Sequence, residues 1–151
     1  MNSYGFLVLS VIVLSVQGET LSKEKAEDLL HQQIEDCAKE LNASKDDVDK
    51  LFKLKVPESD EGKCVVKCVY EKVGWMKNGT YDAKAKLDSF KKIHEKNTKL
   101  MENYTKMIED CESSAKGGNE CDIAKNVMDC EIKIAKENKW IQNPTEEENV
   151  K

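Results

Sequence analysis

The chain has 151 residues, a length that suits one domain and leaves little room for two. Its net charge is -5, and its basic residues are mixed with acids along every segment. That balance argues against nucleic acid and against anionic membrane surfaces, both of which reward clusters of Lys and Arg.

The first stretch stands apart. Gly5 to Val16 is an apolar run without a single charge, followed by the small-residue pattern Val16-Gln17-Gly18. This reads as a secretory signal peptide over 1–18, cleaved after Gly18. A membrane anchor needs about 20 apolar residues and basic flanks, which are missing here. A single domain over 19–151 is expected to remain.

Helical periodicity then runs almost without interruption. Ala26, Leu30, Ile34, Cys37 and Leu41 recur at steps of three and four, which predicts a helix over 22–41. Ser44-Lys45-Asp46-Asp47 reads as a capping box for a short helix that buries Val48, Leu51 and Phe52. Pro57 marks a loop. A third helix is expected over 62–77, apolar nearly all round and therefore central. Asn78-Gly79-Thr80 signals a turn. Asp82 caps a short helix with Ala83, Leu87 and Phe90. The next helix, over 95–111, carries the stripe Leu100, Met101, Tyr104, Met107, Ile108 and Cys111. Gly117-Gly118 breaks the chain, and Asn119 caps a last helix to about residue 138. Residues 142–151, acidic through Glu146, Glu147 and Glu148, read as a mobile tail.

All six cysteines lie beyond the leader: Cys37, Cys64, Cys68, Cys111, Cys121 and Cys130. An even count in a short exported chain implies a disulfide framework. Cys64 and Cys68 share one helix face, so bonding to each other would strain it. Cys121 and Cys130 fall on opposite faces of the last helix, which suggests two different partners. Six cysteines still allow about 15 pairings, and spacing alone selects none.

The gaps between these cysteines are specific. Three residues separate Cys64 from Cys68, and eight separate Cys121 from Cys130. With the other gaps, this pattern resembles the six-cysteine odorant-binding proteins of insects, the pheromone and general odorant-binding family. The resemblance spans the whole mature chain. It implies the interlocked bridges Cys37–Cys68, Cys64–Cys121 and Cys111–Cys130, which agree with the face arguments. It also implies an all-α bundle of about six helices around an apolar cavity. The expected function is a secreted, extracellular carrier that takes odorants or pheromones through sensillar lymph toward a membrane receptor. Related carriers serve in haemolymph, saliva, venom or reproductive fluid, so the organ stays open. An interaction protein with a filled core is a further alternative.

The physics of such a carrier is simple. Burying about 300 Å² of apolar ligand surface at about 25 cal/mol/Å² gains about 7–8 kcal/mol before the costs of immobilisation. Binding is then roughly micromolar or weaker. Expected wall residues are Val69, Val73, Met76, Phe90, Leu100, Tyr104, Met107, Met128 and Ile132. Tyr70 and Tyr104 are candidates to hydrogen-bond a ligand oxygen. Trp75 and Trp140 are candidates for an entrance, and His94 for a pH response. No catalysis, cofactor or metal is expected. Disulfide-bonded thiols are neither nucleophiles nor ligands, and the two His lack triad partners. The oligomeric expectation is a monomer or weak dimer. Asn42, Asn78 and Asn103 open glycosylation sequons.

Overall fold

The computed structural model describes residues 22–140; the expected leader and tail lie outside the described residues. Six helices and one small hairpin are present among them. Helix α1 spans Lys23–Leu41, α2 Lys45–Phe52 and α3 Asp60–Lys72. The hairpin strands are β1, Met76–Lys77, and β2, Thr80–Tyr81. Helices α4, Ala83–His94, α5, Thr98–Glu112, and α6, Glu120–Glu137, complete the order.

Polar side chains punctuate the chain at each helix start. The Ser22, Ser59, Asp82 and Asn97 side chains each accept a backbone N–H of the first turn that follows. Full capping boxes open α2 through Ser44 and Asp47, and α6 through Asn119 and Asp122. Each satisfies two donors that a helix start otherwise leaves open.

The third helix is shorter than its apolar pattern predicts. It stops at Lys72 because Gly74 takes a left-handed φ of 83°, a conformation glycine adopts cheaply. The Trp75 N–H then returns to the Tyr70 carbonyl. Met76 pairs with Tyr81, and Lys77 with Thr80, across a two-residue turn. Asn78 and Gly79 both have positive φ, as a twisted hairpin turn requires. The expected turn is therefore the tip of a hairpin. Phe52 also departs from expectation: it is 37 % exposed and meets the exposed ring of His31 at 4.8 Å. The fifth helix begins at Thr98, not near residue 95, because the Asn97 side chain caps it there.

Helix α3 is central, packed on α1 and on α6. Val65, Val66 and Val69 from α3 meet Ile34 and Cys37 from α1 and Ala124 and Val127 from α6 in one core. The bridges are Cys37–Cys68, Cys64–Cys121 and Cys111–Cys130. They tie α1 to α3, α3 to α6 and α5 to α6. The pairing implied by the resemblance is the one observed. Helices α2 and α4 carry no cysteine, and α4 packs chiefly on α5.

Candidate functional site

Two features meet between the α3–α6 slab and the α4–α5 pair. The first is a buried polar quartet. Lys86 on α4 is 2 % exposed and Glu131 on α6 is 8 % exposed. Their charges are joined at 2.5 Å. Lys86 also donates to the Tyr70 hydroxyl at 3.3 Å, and the Tyr81 hydroxyl donates to the other Glu131 oxygen at 3.3 Å. The ammonium lies 4.4 Å from the Trp75 ring centroid and 4.7 Å from that of Tyr70. A cation over ring faces is attracted by their negative quadrupole. Burial lowers the Lys86 pKa, and the Glu131 charge works in the opposite direction. Burial first, and then the Glu131 charge, push the Tyr70 and Tyr81 phenols up, so both stay neutral.

The second feature is a column of rings. Tyr70 meets Trp75 edge-on at 5.3 Å. Trp75 stacks on Phe90 at 5.9 Å, and Phe90 on Tyr104 at 4.2 Å. His94 closes the column 5.7 Å from Tyr104. Tyr70 is buried, while Trp75, Phe90, Tyr104 and His94 are half-buried. The column thus runs from the quartet toward solvent. Its geometry is offset stacking and edge contact, as ring quadrupoles favour. Neighbouring apolar side chains on α4 and α5, such as Leu87, Ile93, Leu100 and Met101, are also half-buried. The result is a greasy seam that is neither sealed core nor open surface.

The nine expected wall residues divide into groups. Val69 and Met76 sit in the central core, with Met128 packed against it. Phe90 and Tyr104 stack in the ring column. Met107 is buried on α5, and Val73, Leu100 and Ile132 are half-buried. Two surface grooves also open on this side of the molecule. One, of about 920 Å³, lies along α4 and α5 among Lys92, Glu95, Glu102 and Lys106; the other lies beside the hairpin. Neither is lined by any of the nine. Trp75 is held by its own ring nitrogen, which donates to Ser89.

Lys86, Glu131 and Tyr81 went unrecognised in the sequence. A signal was present. Lys86 lies three and four residues from Ala83 and Phe90, on the apolar face of its helix. Glu131 lies four residues from both Val127 and Ala135, again on an apolar face. Two opposite charges on two apolar stripes are the mark of a buried pair.

The threaded bridges and the half-buried seam define a disulfide-locked helical binding protein of the odorant-binding type. The chain belongs to the PBP/GOBP family, which residues 20–133 match. General odorant-binding protein 56a of Drosophila melanogaster is 31% identical over 134 residues, covering 86% of this chain and 91% of that protein. Among solved structures, the odorant-binding protein dmelOBP28a from Drosophila melanogaster superposes with a TM-score of 0.68 at 21% identity. The match covers 78% of this chain and 98% of that one. The fatty acid binding protein OBP56a from the oral disk of the blowfly Phormia regina gives 0.59 at 22% identity, over 76% and 96% of the two chains. These two structures establish the shared fold.

Proposed function

We propose that this chain is a secreted carrier that binds small hydrophobic odorants or pheromones and conveys them through aqueous sensillar lymph toward olfactory receptors. The observation that carries the reading is the half-buried aromatic seam inside a disulfide-locked shell. Rings left partly open in a chain this charged are costly in water unless something apolar covers them. Family membership supports a small hydrophobic ligand as that cover. Export follows from the leader over 1–18, with the mature chain starting at Glu19.

A non-olfactory carrier is the second reading. It is favoured by the blowfly relative, a fatty acid binding protein of the oral disk. Titration with the fluorescent probe N-phenyl-1-naphthylamine tests the carrier reading shared by both. Saturable one-to-one uptake, displaced by apolar volatiles, is expected. No uptake by the oxidised native protein would overturn it. Antibody staining of sensilla against mouthparts and glands then separates the two organs.

A further inference from the structure

The polar groups around the seam are unequally committed. Lys86 is the one buried cation among the described residues, and Glu131 already neutralises it. Tyr70 and Tyr81 are engaged within the same quartet. Trp75 is bound to Ser89. No buried side-chain nitrogen or oxygen among the described residues lacks a partner. Tyr104 differs. Its ring is fixed against Phe90, yet its hydroxyl makes no hydrogen bond among the described residues. It is half-buried, at the solvent side of the seam.

We infer that Tyr104 is the head-group contact of the carrier, and that it selects ligands bearing a neutral oxygen, such as alcohols and esters, over carboxylates of equal chain length. The inference rests on the carrier reading above and narrows it to a ligand class. A phenolic hydroxyl both donates and accepts, so it satisfies an alcohol, a carbonyl or an ester oxygen equally. A carboxylate buried here gains no ion pair, because Lys86, the one buried cation among the described residues, is already paired with Glu131. Two acidic groups act on the Tyr104 hydroxyl, Glu131 on α6 and Glu27 on α1, and the His94 ring of α4 lies 5.7 Å from the Tyr104 ring. Burial first, then the charges of Glu131 and Glu27, raise the Tyr104 pKa, so the hydroxyl keeps its proton and lies in a negative field. An anionic head meets that field unpaired. A fatty acid enters this seam as the neutral acid.

The test is displacement of bound N-phenyl-1-naphthylamine at about pH 8 by dodecanol, methyl dodecanoate and dodecanoate. Wild type and Tyr104→Phe are compared, because Phe keeps the stacked ring and removes only the hydroxyl. In the wild type, the alcohol and ester are expected to displace the probe at least about tenfold better than dodecanoate. Tyr104→Phe is expected to weaken the alcohol and ester by about two- to tenfold, the worth of one neutral hydrogen bond. Its affinity for the probe is measured separately, so that the displacement constants of the two proteins are compared directly. Equal competition by dodecanoate in the wild type, or unchanged alcohol affinity in Tyr104→Phe, overturns the inference and leaves the carrier standing. Failure of the probe to bind the wild type removes the carrier reading itself.

Discussion

Removing one partner of the Lys86–Glu131 pair is the sharpest perturbation available. The two charges meet at 2.5 Å, and their side chains are 3% and 10% exposed. Glu131→Gln leaves the ammonium buried with only a phenol, an amide and ring faces around it. Lys86→Met leaves a carboxylate buried with one phenolic donor. Breaking such a pair costs about 3–5 kcal/mol, because the remaining charge keeps its desolvation penalty. For a domain of this size that is a fall in Tm of about 10–20 °C. The double variant Lys86→Met, Glu131→Leu removes both charges and is expected to regain most of that loss. Alkaline behaviour follows from the direction of the Lys86 shift. Burial places its folded pKa below the ordinary 10.5. Between those two values the unfolded chain holds a proton that the folded one lacks, so this group adds stability as pH rises through that window. Glu131→Gln widens the window, because the charge that held the proton is gone. Thermal melts by circular dichroism at about pH 7 and pH 9 measure both effects. Losses below about 1 kcal/mol in both single variants would refute the reasoning, since the pair would then be solvated.

Three further outcomes follow from the same structure. Replacing Cys64 and Cys121, which close a separation of 57 residues, is expected to cost about 4 kcal/mol. Replacing Cys111 and Cys130, separated by 19, is expected to cost about 3 kcal/mol, and urea titration of the two double variants checks the order. Gly62→Ala places a methyl group 2.4 Å from the Pro57 Cβ and 2.8 Å from the Asp47 carboxylate, so a loss of about 1–3 kcal/mol is expected in the same assay. Burial works to raise the Asp47 pKa, but hydrogen bonds from Ser44 and Ser59 prevail and hold it below 3.8. Its stabilisation is present above 3.8 and lost as pH falls through the folded value. The Tm gap between wild type and Asp47→Asn should therefore close on acidification from pH 7 toward about pH 3.

Most of this architecture is written in local chemistry that a reader of the sequence can follow. Ser44, Asp82 and Asn119 cap where their side chains say they will, because capping depends on neighbours three residues away. The end of α3 was harder. Val73 to Lys77 continues an apolar helical pattern, but one left-handed glycine and an Asn-Gly turn outweigh it and make strands of two residues. Phe52 belongs to a stripe that helical periodicity assigns inward, yet at the last position of α2 it stays exposed while Leu51 beside it fills the core. The quartet lay beyond local reading because it joins residues 45 apart in sequence. Each charge, taken alone, resembles one more solvated residue in a chain rich in them.

The way the helices are fastened connects this fold to uptake. Covalent bonds fix α1, α3, α5 and α6 to one another, so their spacing survives any fluctuation short of unfolding. Helix α4 has no such bond. It is held by the Lys86–Glu131 pair, by Ser89 accepting from Trp75, and by rings that stack without interlocking. Those contacts are local, and stacked rings slide at little cost compared with interdigitated aliphatic side chains. The wall least bound to the frame is therefore the one that carries Phe90 and His94 of the ring column. On the proposed carrier reading, a ligand entering between α4 and the fixed helices would exchange ring–ring contact for ring–ligand contact of similar apolar area.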